Sequence, residues 1–156
     1  MNRFYDIEGD VSMQLAPWTL TALGIPTKSA WFHLREQIRF RSDIAGGDIV
    51  VPVEFLSDLA SIPQFAWSLF MACDDPRIEL GGWVHDFLYG RMGLLDDCHL
   101  TTRGQLSRRE CDSILAFEAM PELGATKFQQ WAVYLALRLL GGARWNKAQA
   151  APKESA

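Results

Sequence analysis

Residues 31–41 read W-F-H-L-R-E-Q-I-R-F-R. Phe32, Leu34, Ile38 and Phe40 fall on one side of an extended chain, and His33, Arg35, Gln37 and Arg39 on the other. Alternation with a period of two predicts a half-buried strand. Asp43 to Asp48, with Gly46-Gly47, reads as a hairpin turn, and Ile49 to Phe55 as the returning strand. Upstream, residues 1–28 are broken by Pro17 and Pro26 and read as short strands and loops.

Downstream the period lengthens. Pro63 fits the first turn of a helix reaching Cys73, and Asp74-Asp75-Pro76 interrupts it. A second helix is expected from Ile78 to Met92, followed by a loop from Gly93 to Gly104. Ser107-Arg108-Arg109-Glu110 is a capping-box pattern that starts a third helix, ending near Met120 before Pro121. A fourth runs from Ala125 to Leu140 and stops at Gly141-Gly142. The expected fold is α+β, a single domain over residues 1–147. It has an N-terminal β-hairpin or small antiparallel sheet, then about four helices. Residues 148–156 are small and polar and read as a flexible tail.

The chain has 156 residues, enough for one sizeable core, with 49% hydrophobic and 22% charged residues. Its net charge of −4, without a basic block, gives nucleic acid no bulk attraction. Cys73, Cys98 and Cys111 are odd in number and lack C-x-x-C spacing, which points to buried thiols rather than a disulfide framework. The N-terminal residues show no signal-peptide pattern, and the longest apolar stretch, Trp131 to Leu140, is too short for a transmembrane segment.

The chemistry concentrates in His85-Asp86-Phe87-Leu88-Tyr89 and Cys111-Asp112. His85 and Tyr89 are four apart and share a helix face. A neutral imidazole accepts a proton from water near pH 7 when a carboxylate fixes its tautomer. Asp112 borders the apolar face of its helix and needs a partner there, with His85, Arg108 and Arg138 as the candidates. His85 reads equally as a core histidine held by a hydrogen bond. Gly81-Gly82, one turn earlier, leaves room for a ligand or for close helix packing. Asp58 lies where strand gives way to helix and reads as a helix cap or as a ligand. Asp96, Asp97, Cys98 and His99 match no zinc spacing and read as loop.

The run V-P-V-E-F-L-S-D-L-A-S-I-P from Val51 to Pro63 resembles a family of small phage and prophage domains. Their pattern continues with H-D-x-L-Y, a helix bearing an Asp, and a last helix bearing Tyr, Arg, Gly and Trp. Here these are His85, Asp86, Leu88, Tyr89, Asp112, Tyr134, Arg138, Gly141 and Trp145. The chain departs at Ser57, where the pattern has Thr, and at Glu54, where it has Gly. Glu54 implies that the backbone there needs no special conformation.

A local similarity, His85-Asp86-x-x-Tyr89 with the later Asp112, is to the two catalytic helices of phospholipases A2. That likeness implies His85 as base, Asp112 and Tyr89 as its supports, and Asp86 as a calcium ligand. Asp58 is a further candidate metal ligand, and calcium is expected over zinc. The phospholipase glycine-rich calcium loop and bracing disulfides have no counterpart here. The expectation is a phage or prophage virion protein, at the tail, contacting other virion proteins. It would carry a metal-assisted hydrolase site for the host cell envelope, a lipid ester or peptidoglycan. The alternative is a non-catalytic adapter of the tail or particle.

Overall fold

The computed structural model describes residues 3–5, 12–14, 19, 22–23, 31–57, 76–91, 93–95 and 101–150. Strand β1 is Phe4–Tyr5, β2 Ser12–Gln14, β3 Phe32–Leu34, β4 Ile38–Ser42, β5 Gly47–Val51 and β6 Leu56–Ser57. They form two three-stranded antiparallel sheets, β1-β4-β5 and β2-β3-β6. Helix α1 is Pro76–Gly90 and α2 is Arg108–Ser113. A π-helical stretch, Ile114–Ala119, continues α2 into the short α3, Met120–Glu122. Helix α4 is Lys127–Leu140 and α5 is Gly142–Ala150. The fold is α+β, as the two periodicities predict.

The strand expected over 31–41 is two strands in different sheets. A bend at residues 35–37 separates β3 from β4. Leu34 and Ile38 are nevertheless both buried. The bend keeps even parity, so alternation alone cannot reveal it. Ile38 pairs with Val51 and Ser42 with Gly47 across the hairpin. Its turn places Gly46 at φ 71, where a Cβ would lie 2.0 Å from Thr102 Oγ1.

The returning strand ends at Val51, because Pro52 cannot donate to a ladder. A tight turn follows, closed by Phe55 N–H on the Pro52 carbonyl at 3.4 Å. Its third residue, Glu54, has φ 68. This corrects the inference drawn from glycine's replacement. The left-handed region is required there, as in a type II turn, and a non-glycine residue occupies it.

Helix α1 is the centre of the molecule. Every residue from Gly81 to Tyr89 is buried, the mark of a helix enclosed on all sides. Trp83, Val84 and Leu88 pack with Ile38, Phe40, Ile49 and Val51 from the sheet and with Ile114 and Leu115 from the π stretch. Burying each large side chain stabilises the fold by roughly 1.5–3 kcal/mol. Gly81 serves close packing, since a Cβ there would lie 3.0 Å from Leu115 Cδ1.

The capping box at Ser107 forms as read, and Thr126 with Gln129 makes a second one at α4. Gly141-Gly142 does not end the helical region. Gly141 keeps right-handed helical φ and ψ, and α5, rich in good helix formers, follows and runs to Ala150. No helix among the described residues is long and apolar enough to cross a membrane. The helix expected from Pro63 to Cys73, Asp58 and the Asp96–His99 segment lie outside the described residues.

Candidate functional site

His85 and Tyr89 stand one turn apart on α1, and Asp112 faces them from α2. His85 Nε2 lies 3.2 Å from Asp112 Oδ1, and Tyr89 Oη donates to the same oxygen at 2.5 Å. Arg138 of α4 donates to Asp112 Oδ2 at 2.8 Å. The Arg108 Nε is 3.9 Å from that oxygen. All three partners anticipated for Asp112 therefore surround it, with Arg108 the most distant. An ionised carboxylate only accepts, so Nε2 carries the hydrogen of a neutral His85 and Nδ1 presents a lone pair. Nδ1 is buried and has no hydrogen-bond partner among the described residues.

Burial alone would raise the Asp112 pKa. Hydrogen bonds from His85, Tyr89 and Arg138 outweigh it and hold the carboxyl below its ordinary value. Burial and then the bond to Asp112 push the Tyr89 phenol well above its ordinary value, so it stays a donor. Arg138 beside Asp112 is raised by that bond. The neighbouring Cys111 thiol is raised by burial and then by Asp112, which makes it an unreactive core residue.

Arg108 braces the arrangement. It donates to Tyr89 Oη at 3.3 Å and to the carbonyls of Leu137 and Arg138 at 2.7 and 2.9 Å. The Leu137 carbonyl also accepts from Gly141 N–H at 2.8 Å, so the guanidinium adds a second donor to the last turn of α4. Gly141 makes the approach possible, since a Cβ there would lie 2.8 Å from Tyr89 Oη. Trp145 meets the Tyr89 ring edge-on, with centroids 5.2 Å apart, and His85 stacks on it at 4.2 Å. Arg138, Gly141 and Trp145 of the motif thus serve one place. Tyr134 belongs instead to an aromatic cluster with Phe117 and Trp131.

Asp86 points elsewhere. Ser57 Oγ donates to its Oδ2, and Arg144 Nη2 is 3.8 Å from that atom. These groups line a cleft of about 360 Å³ together with Trp31, Phe55, Tyr89 and Lys147. Sequence reasoning passed over Ser57, Arg144 and Lys147 as site residues. Ser57 beside the motif Asp58 was an available signal, whereas nothing marked the two cations of α5.

Of the two expected metal ligands, only Asp86 is described. Its carboxylate is engaged by a hydroxyl and faces a guanidinium, and among the described residues no three His, Cys, Asp or Glu side chains converge on a metal position.

The family model "Protein of unknown function (DUF1353)" matches residues 32–137. The chain belongs to the DUF1353 family. No curated protein and no solved structure matches it. The matched span holds β3 to β6, α1, α2 and most of α4, and so includes His85, Tyr89, Asp112 and the tip of the matched region at Leu137, whose carbonyl Arg108 holds. Arg138, Arg144 and Trp145 of this DUF1353 chain lie just beyond it.

Proposed function

We propose that this DUF1353 protein is a hydrolase in which His85 takes a proton from water. The observation that carries the reading is the division of labour on the imidazole. Nε2 is fixed on Asp112, while Nδ1, a basic lone pair, faces no protein donor among the described residues. Water bound at Nδ1 would lose a proton to it as its oxygen attacks a carbonyl carbon. Asp112, held ionised by Arg138 and Tyr89, would stabilise the imidazolium, which then returns the proton to the leaving group.

Arg144 and Lys147 are the cleft groups able to offset negative charge on the carbonyl oxygen, and Trp31, Phe55 and Tyr89 offer an apolar wall. No step is routed through a metal. His85 is 1% exposed and does not itself line the cleft, so the reading requires substrate binding to open a path to Nδ1. The substrate class proposed is an ester or amide of the host cell envelope. The setting proposed is a phage or prophage particle, at the tail. Both rest on the motif resemblances, through Asp58-Leu59-Ala60-Ser61-Ile62-Pro63 and His85-Asp86-x-x-Tyr89.

The same burial favours a second reading, a non-catalytic adapter whose polar cluster locks α1, α2 and α4 together. His85→Asn separates the two. A hydrolase loses about 10² or more in turnover on envelope lipid or peptidoglycan while its unfolding midpoint stays close to wild type. An adapter shows no hydrolysis in the wild type, and the variant is destabilised by roughly 1–3 kcal/mol.

A further inference from the structure

The cleft beside Asp86 is lopsided in charge. Its lining includes one carboxylate, Asp86, and two cations, Arg144 and Lys147, in a chain of net charge −4. Trp145 anchors the helix that carries both cations. Its ring meets Tyr89, and its backbone N–H donates to the Gly141 carbonyl at 3.2 Å. Arg144 and Lys147 are three apart and so share a face of α5. An ion pair fastening α5 to α1 would need only Arg144, which stands 3.8 Å from Asp86 Oδ2. Lys147 is exposed at the same cleft and makes no ion pair with another described residue.

The rest of the lining is largely apolar, with Trp31 and Phe55 as its large rings. Phe55 is fixed by edge contacts with Trp83 and Phe87, at 6.0 and 5.5 Å between centroids. A cleft of about 360 Å³ with apolar rings and a few charged groups has the form of a small-molecule site. The charge count narrows the occupant. One surplus positive charge is matched by one negative charge, as in a carboxylate or a phosphodiester. A phosphate monoester, at about −1.5 to −2 near pH 7, would exceed it beside Asp86. A guanidinium recognises carboxylate and phosphate oxygens alike.

We infer that this cleft takes a singly charged anion joined to an apolar body, with Arg144 and Lys147 on the anionic group and Trp31 and Phe55 on the body. The inference rests on the reading above for the cleft as the place of the substrate, and adds the substrate's charge. Isothermal titration calorimetry on the full chain tests it with two pairs of probes. N-acetylphenylalanine is set against its neutral amide, and dihexanoylphosphatidylglycerol below its micelle concentration against dihexanoylphosphatidylcholine. The anionic member of at least one pair should bind about tenfold or more tighter than its counterpart, and less tightly as salt rises from about 0.05 to 0.5 M. Preference in the first pair makes the group a carboxylate, and in the second a phosphodiester. Arg144→Gln should remove about tenfold of that binding. Should it misfold, Lys147→Glu decides, because the change is at an exposed side chain and reverses the charge at the cleft. The inference is overturned if neither anion is preferred, if both variants leave the preference intact, or if phenyl phosphate binds tighter than either monoanion. Anion binding without hydrolysis of any ester or amide keeps it and removes the role given to His85. Hydrolysis with no anion preference does the reverse.

Discussion

Asp112 and Glu118 ride on one helical run and both are buried, yet they are satisfied in opposite ways. Glu118 accepts from Ser42 Oγ at 2.6 Å and from the backbone N–H groups of Asp43 and Ile44 at 2.9 and 3.2 Å. Arg3 Nη1 reaches it at 3.5 Å. Its partners are mostly groups that cannot titrate, and they belong to the turn between β4 and β5. Glu118 is a clamp between the π stretch and the hairpin. Asp112 is met by an imidazole, a phenol and a guanidinium, groups that carry or move protons. The contrast teaches that burial of a carboxylate does not by itself mark chemistry. The kind of donor gathered around it does.

The largest expected effect breaks the clamp. Glu118→Ala leaves one hydroxyl and two backbone donors unsatisfied beside Arg3, and stability should fall by about 3–5 kcal/mol in urea unfolding. Any hydrolytic activity per folded molecule should survive. A loss below about 1 kcal/mol would show that water replaces the carboxylate, and the comparison would fail.

Asp112→Asn is expected to be milder at pH 7, costing about 2–3 kcal/mol, because the amide keeps an acceptor oxygen while losing the charge. Its pH dependence sharpens the comparison. The Asp112 carboxyl is held below its ordinary value in the fold. Its contribution is therefore present above the unfolded value of about 3.9 and is lost as pH falls through and below it. Urea midpoints of wild type and Asp112→Asn should converge on acidification. A constant gap down to acid would mean that shape, not charge, holds the cluster.

The smallest effect lies in the sheet half. Glu54→Gly relieves a left-handed backbone at φ 68 and gives up an exposed contact of Glu54 with His33 Nδ1 at 3.5 Å. A net stabilisation of about 0.5–1 kcal/mol is expected in the same measurement. Destabilisation would show that the His33 contact outweighs the backbone relief.

The site was more legible than the sheets that support it. His85, Tyr89 and Asp112 could be brought together from the sequence because helix periodicity and the Ser107 capping box set their faces. A polar residue on an apolar face also demands a partner, which named Arg108 and Arg138. Glu118 carried no comparable signal, because two of its partners are backbone N–H groups of a turn and the others, Ser42 and Arg3, lie far off in the chain with no pattern linking them to it. The bend at 35–37 was hidden by unbroken alternation. Glu54 was misread because a missing glycine argues for ordinary backbone only where nothing else enforces the turn. Gly141-Gly142 looked like a stop signal, while the space it leaves is filled by the Arg108 guanidinium.

The π-helical stretch has a consequence for how the gene can tolerate length change. Met120 N–H reaches back five residues to the Leu115 carbonyl, so the run holds one residue more than an α-helix would need. Deleting a single codon between Ile114 and Ala119 would remove the residue that the wide turn accommodates, and the segment would close as ordinary α-helix with the residues beyond it close to their present phase. The same deletion inside the regular turns of α4 would instead rotate everything after it by about 100°. The π stretch is thus the place in this helical run where the reading frame can lose three bases at the least cost to the fold.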